Sequence, residues 1–297
     1  MKKLLGVFSV VVCAIGAIGC GAHGGGDGNT AISSGEPEGG PEVFTETNDG
    51  STVEIVKPGN LDINVSLTDP SYVSDNEKLF CALNGNGSGS SIQEATKNAD
   101  GTTTLKSTDL KGDNRAPCVR YNPKYRLFEM VYVQRIKTVS GVWVHTMRWA
   151  TAPDCRTWKD NGPLYTQGSN LRSPSMVING SDRKIFYLAN DANGASRIYC
   201  SIFVDHQYAG SKEVAIEGNA KSISVIQDGS LLRMFWTESG KLYSSTSGDG
   251  VNFTSKSLVG AYEMTSFEVT RTKEAEYALR YSKTDGSSIV RAMIARK

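Results

Sequence analysis

The chain has 297 residues, of which 32 are Lys or Arg and 31 are Asp or Glu, so its formal net charge is +1. That balance speaks against bulk binding to nucleic acid or to a charged membrane surface. The sequence holds no P-loop, dinucleotide fingerprint, Ser-His-Asp order or His-paired metal spacing, so neither a cofactor nor a metal is expected.

The first element is an export signal. Lys2 and Lys3 are followed by an apolar run from Leu4 to Ile18, shorter than the roughly 20 residues a membrane-spanning helix needs. A charged start, a short apolar stretch and then small residues describe a segment that is removed on export. Gly16, Ala17, Ile18 and Gly19 stand directly before Cys20. This resembles the lipobox of bacterial lipoproteins, with Ala17 where Leu is usual. The resemblance implies cleavage after residue 19 and diacylation of Cys20, which anchors far more firmly than one acyl chain. The other reading is ordinary signal cleavage, with Cys20 a bystander. Either way the chain is expected outside the cytoplasm, and the lipoprotein reading favours the outer membrane or the cell surface.

Residues 20–57 follow as an acidic tether. They are rich in Gly, Ser, Thr and Pro, and Asp27, Glu36, Glu38, Glu42, Glu46, Asp49 and Glu54 are opposed only by Lys57. Such a stretch buries too little apolar surface to offset its ordering entropy, and a flexible chain of this length spans about 30–35 Å. Without the signal and the tether, 29 basic and 24 acidic residues remain, so the domain from residue 58 to 297 is mildly basic. It carries Cys81, Cys118, Cys155 and Cys200. An even number in an exported protein predicts disulfides. Of the three pairings, Cys81–Cys118 with Cys155–Cys200 is favoured because each would join neighbouring repeats.

Those repeats are all-β. Short β-rich runs recur between Gly, Asn and Asp turns: Leu127–Gln134, Trp143–Ala150, Lys184–Ala189, Leu231–Thr237 and Tyr277–Ser282. Five segments share one shape: Asp69-Pro-Ser-Tyr-Val, Ala116-Pro-Cys-Val-Arg, Ser173-Pro-Ser-Met-Val, Lys221-Ser-Ile-Ser-Val and Thr265-Ser-Phe-Glu-Val. Their starts lie 44 to 57 residues apart. A repeat of that length holds about four strands, one blade of a β-propeller, which predicts a five-bladed propeller, with a six-bladed propeller or a β-sandwich as alternatives. Ser247-Gly-Asp249-Gly250-Val-Asn-Phe253 and Ala152-Pro-Asp154-Cys155-Arg-Thr-Trp158 resemble the Asp-box hairpin of sialidases. The device is a self-capped turn, in which a carboxylate accepts backbone N–H groups and an aromatic ring packs back over the hairpin.

Together the five segments resemble the five-bladed clan of arabinanases, levansucrases and invertases. The resemblance implies a ligand pocket at one end of the central channel, with a nucleophile or base at Asp69 of Asp69-Pro70. Where an invertase-type enzyme has Arg-Asp-Pro, this chain has Arg115-Ala116-Pro117, and where a third-blade Glu would stand it has Arg172-Ser173-Pro174. Glycoside hydrolysis needs two carboxyl groups, and Glu263 and Glu268 are the candidates for the second. Arg115, Arg172 and Lys221 begin three successive repeats and would bring positive charge to the channel mouth, suited to an anionic glycan. The expectation is a monomeric, carbohydrate-binding propeller that touches a membrane only through its lipid and binds no nucleic acid. An active hydrolase using Asp69 and a non-catalytic envelope scaffold are the alternatives.

Overall fold

The computed structural model describes residues 53–63, 66–85, 89–272 and 277–296. The expected signal, Cys20 and the acidic stretch as far as residue 52 lie outside them. Strand β1 (Val53–Ile63) comes first. Then come four four-stranded antiparallel groups: β2 (Thr68–Val73), β3 (Lys78–Gly85), β4 (Gly89–Lys97) and β5 (Thr103–Ser107); β6 (Asp113–Asn122), β7 (Leu127–Lys137), β8 (Trp143–Ala152) and β9 (Lys159–Pro163); β10 (Ser169–Asn179), β11 (Asp182–Asn190), β12 (Ser196–Val204) and β13 (Gln207–Ile216); β14 (Ser222–Asp228), β15 (Leu231–Glu238), β16 (Lys241–Ser247) and β17 (Asn252–Ala261). The fifth group has three strands from the C-terminal end, β18 (Met264–Arg271), β19 (Tyr277–Lys283) and β20 (Ile289–Arg296). Its outermost strand is β1, which pairs with β20 from Val53↔Arg296 to Ile63↔Ile289. The fold is a five-bladed β-propeller whose ring is closed by joining the two ends of the domain in one blade. The folded blade therefore begins at Val53, within the stretch read as tether.

Burial falls from the channel outward. The second strands are buried on both faces because each is sandwiched between neighbouring blades: Leu232–Thr237 of β15 and Tyr277–Ser282 of β19 are buried throughout. Outer strands β9 and β13 are mostly exposed. Five hydrophobic clusters fill the five gaps between blades. Val73, Phe80 and Ile92 meet Val119, Met130 and Tyr132, while Val131 and Met147 meet Ile185 and Tyr187. Phe186 and Leu188 meet Met234, Trp236 and Phe253, and Phe235 and Leu242 meet Val269, Leu279 and Tyr281. Ile63 and Ile289 meet Leu67 and Leu79. A charged strap reinforces the gap between blades two and three, where buried Arg183 and Glu129 lie 2.5 Å apart and Asn122 donates to Glu129 at 2.7 Å.

The disulfide expectation is corrected here. None of the four cysteines is disulfide-linked, and all are buried. Cys81, Cys118, Cys155 and Cys200 fall into four different inter-blade clusters. They are small core residues, and Cys118 in addition accepts a backbone N–H.

Both Asp-centred turns join the third strand of a blade to its fourth. Asp249 accepts the Val251 and Asn252 N–H groups at 2.7 and 2.9 Å and the Ser247 hydroxyl at 2.7 Å. Asp154 accepts the Arg156 and Thr157 N–H groups at 2.8 and 3.1 Å. Gly250 has φ +77°, and Cys155, in the matching place, is held at φ +59°. Phe253 is buried over its hairpin, and Trp158 packs edge-on against Phe80 at 5.7 Å. The same conformation thus forms with and without glycine, at some strain cost where Cys stands.

Candidate functional site at the channel mouth

The inner strands β2, β6, β10, β14 and β18 line the channel and run in one direction. The end at which they start is the upper mouth. At equivalent positions they carry Ser71, Cys118, Ser175, Ser224 and Glu268, and each accepts the backbone N–H of the residue one place further along the inner strand of the next blade. Val119 donates to Ser71 Oγ at 2.9 Å, Met176 to Cys118 Sγ at 3.2 Å, Val225 to Ser175 Oγ at 2.7 Å and Val269 to Ser224 Oγ at 3.0 Å. Tyr72 donates to Glu268 Oε2 and completes the circle. These are buried N–H groups at the free inner edge of each sheet, which need an acceptor. The ring supplies five acceptors and ties every blade to the next.

Glu268 is the long member of this ring. Its other oxygen, Oε1, accepts from Ser71 Oγ at 3.1 Å and from Arg120 Nη1 at 2.5 Å, so one side chain of blade five holds blades one and two. Burial works against the Arg120 charge, but Cys118 and the Glu268 carboxylate more than offset it, holding the guanidinium above its ordinary range. Glu268 is thus engaged below the mouth as a structural anion. Glu263 stands on the exposed connection from β17 to β18 and is not among the residues lining the mouth.

One step above the ring, two residues earlier in each inner strand, Asp69, Ala116, Ser173, Ser222 and Ser266 face the mouth. In blades one to three this residue precedes a proline and has positive φ: 52° at Asp69, 49° at Ala116 and 48° at Ser173. Each coincides with a break in register against the second strand. Such bulges re-aim a side chain, and left-handed backbone is easier for Asp than for Ala. Asp69 is thereby the carboxylate of the outermost layer, and Glu268, one layer below, is the other carboxylate that lines the mouth among the described residues. Its N–H donates to Ser266 Oγ at 2.7 Å, and Thr68 Oγ1 donates to its carboxylate at 3.4 Å. Burial pushes the Asp69 carboxyl above the usual range, against the lowering effects of Thr68, the Ala116 N–H, Arg115 and Ser266. Ser173 and Ser222 lie hydroxyl to hydroxyl at 3.3 Å. The free space in the mouth is about 20 Å³, room for a water-sized group and below the size of an enclosing ligand pocket. A carboxyl group beside three hydroxyls can hydrogen-bond a hydroxyl of a ligand that lies across the opening.

The cations are placed otherwise. Arg115, at the strand position before Ala116, reaches Asp113 at 3.3 Å and Ser90 Oγ at 2.9 Å. Arg135 joins the same Asp113 at 2.6 Å. Arg172 donates to Asn190 Oδ1 and the Asn170 carbonyl at 3.1 Å and to Ser196 Oγ at 2.7 Å, all within its own blade. Those partners are neutral, and burial alone holds its pKa below the ordinary value. Lys221 is exposed, and its N–H closes the strand start on the Thr237 carbonyl at 2.9 Å. None of the three lines the mouth. His145 and His206 lie on and between outer strands, with His206 stacked on Trp149 at 5.4 Å.

No protein-family model matches the chain, and no curated protein matches it in sequence. Solved structures do match its fold. A GH43_1 enzyme from Xanthomonas citri superimposes with a TM-score of 0.59 at 10% identity over 81% of this chain and 91% of that one. An α-L-arabinofuranosidase from Podospora anserina, in complex with cellotriose, gives 0.56 at 12% identity over 83% and 98%. An exo-1,5-α-L-arabinanase from a bovine ruminal metagenomic library gives 0.51 at 11% identity over 79% and 95%. The chain therefore has the propeller architecture of these glycoside hydrolases over nearly their whole length.

Proposed function

We propose that this chain is a cell-envelope lipoprotein whose propeller binds carbohydrate at the upper mouth without hydrolysing it. The observation that carries the reading is the composition of the mouth: Asp69 is matched in the other blades by Ala116, Ser173, Ser222 and Ser266, and Glu268 is occupied one layer below. A glycosidase needs an acid and a base or nucleophile on opposite sides of the bond; of the two carboxyl groups that line this mouth, Asp69 and Glu268, Glu268 is committed to Tyr72, Ser71 and Arg120, which leaves Asp69 with a set of hydroxyls. The similar Xanthomonas enzyme has been solved with xylose and with xylotriose, which supports a sugar as the ligand class. Arg115 and Lys221, at the strand starts, would favour an anionic glycan over a neutral one only at its periphery.

The test is a glycan array probed with the wild-type chain and with Asp69→Asn at low and moderate salt. Binding that is weakened by Asp69→Asn and insensitive to salt supports a hydrogen-bonded neutral sugar, and binding lost with salt supports an anionic one. A silent array refutes both. One observation favours a second reading, an interaction scaffold. The β7–β8 hairpin projects at the upper end with Ile136, Val139, Val142, Trp143 and Val144 exposed, an apolar tip of a kind that marks protein contact sites. Binding of an envelope protein that survives Asp69→Asn and fails in Val139→Asp would favour it.

A further inference from the structure

The mouth is too small to enclose a sugar, so a ligand lying across it must find its remaining contacts on the upper face. One element rises there. Arg115, beside the mouth, pairs with Val133, and β7 continues four residues further to Lys137, still paired with β8 at Trp143. In blade three the second strand ends at Asn190, two residues past Leu188, the partner of Arg172. The blade-two hairpin therefore overtops blade three by about 7 Å. Its two faces differ. Directly paired residues share a face and successive pairs alternate. Ile136 and Val144 thus lie on one side, and Arg135 with His145 and Lys137 with Trp143 on the other. His145 meets the Leu171 backbone of blade three, so this second side looks over that blade.

On that side the Trp143 indole is held in place. The Arg135 guanidinium carbon lies 4.7 Å from its ring centroid and Lys137 Nζ 5.9 Å. Arg135 is itself fixed by Asp113 at 2.6 Å, and Asp113 accepts the Ser90 N–H at 2.8 Å. Trp143 nonetheless stays 49% exposed, so ring surface remains for a ligand, and a ring already fixed loses little freedom on binding. The C–H groups on one face of a sugar ring carry partial positive charge and suit the negative face of an indole. From Arg115 to Trp143 is two interstrand spacings across and four residues up, roughly 17 Å. We propose that Trp143 is the outer platform of the carbohydrate site and that the ligand is a linear oligosaccharide. One sugar unit hydrogen-bonds to Asp69, and a later unit stacks on Trp143. The proposal rests on the carbohydrate reading of the mouth and adds chain length to it, because a single sugar does not span that distance.

The test is a glycan array that carries each sugar type at lengths from single units to hexamers, probed with the full chain as wild type, Trp143→Ala, Trp143→Tyr and Asp69→Asn. Affinity is expected to rise with chain length. Trp143→Ala should weaken the longest sugars about tenfold and leave the shortest unchanged, while Trp143→Tyr should restore most of the loss. Val139→Asp, at the hairpin tip, should leave every sugar affinity as it is. Binding that ignores chain length, and that falls in Asp69→Asn but not in Trp143→Ala, would overturn the platform and keep the sugar reading of the mouth. A silent array would remove both. Loss of an envelope protein's binding in Trp143→Ala, with all sugar affinities intact, would assign the indole to a protein contact and overturn the proposal.

Discussion

Replacing Glu268 separates a structural carboxylate from a catalytic one. Glu268→Gln keeps an oxygen for the Tyr72 N–H but removes the charge opposite Arg120. The Glu268 side chain is 7% exposed and that of Arg120 20%, so the guanidinium would be left largely buried without its counter-ion. Breaking a buried pair from one side costs about 3–5 kcal/mol. The partial exposure of Arg120 and its remaining bond to the Val119 carbonyl at 2.8 Å place the expected loss near the lower bound, about 3 kcal/mol. For a domain of this size that corresponds to a fall in Tm of about 6–12 °C. Glu268→Ala should cost a further ~1–3 kcal/mol, because the Tyr72 N–H then lacks its acceptor. Arg120→Leu combined with Glu268→Leu should recover part of the loss, since removing both charges avoids a stranded ion. Urea denaturation of the four proteins measures these differences. A Glu268→Gln protein of unchanged stability that loses an activity would refute the structural assignment.

Other expectations follow from the same geometry. Cys118→Ser should stay within about 1 kcal/mol of wild type because a hydroxyl already fills this role in three other blades, while Cys118→Ala should lose ~1–3 kcal/mol by orphaning the Met176 N–H; chemical denaturation decides. Asp69→Asn should raise Tm at neutral pH. A carboxyl whose folded pKa is raised is most favourable while protonated, and its contribution declines as pH climbs through that raised value, so the advantage of Asn should vanish in acid below about pH 4. A pH series of melting curves that shows no such convergence would contradict the buried setting of Asp69. Asp249→Ala should lower Tm more than Asp154→Ala, since Asp249 accepts more bonds. The Asp249 pKa is held far below the ordinary value by the Asn252 and Val251 N–H groups. Its contribution is therefore full above about pH 4 and disappears only in strong acid.

Much of this fold is legible because prolines mark it. Asp69-Pro70, Ala116-Pro117 and Ser173-Pro174 identify the mouth-facing positions of three inner strands in the correct register. Blades four and five lack the proline, and their repeat is read one residue early: Ser222 and Ser266, rather than Lys221 and Thr265, are the mouth residues. That slip hides the ring of Ser71, Cys118, Ser175, Ser224 and Glu268, since moving a strand by one residue exchanges its faces. Glu268 then looks like a spare acid when it is the fifth acceptor. The closing strand β1 is missed for another reason. Val53–Ile63 contains Pro58, Gly59 and Asn60 and finds its partner only at Ile289–Arg296, a pairing that local pattern does not encode. The even cysteine count misleads because the four side chains stand one each in four separate core gaps. Arg115 and Arg172 are found at the right strand positions, but where their long side chains turn depends on Asp113, Asn190 and Ser196, which sequence spacing does not bring together.

The most direct test of the account is a paired measurement on the wild-type chain and Asp69→Asn, using whichever oligosaccharide the array identifies: calorimetric binding, and release of new reducing ends over a long incubation. Saturable binding by the wild type, weakened in Asp69→Asn, with no reducing ends released by either protein, is the predicted result. Release of reducing ends by the wild type that Asp69→Asn abolishes would contradict it and make the chain a hydrolase.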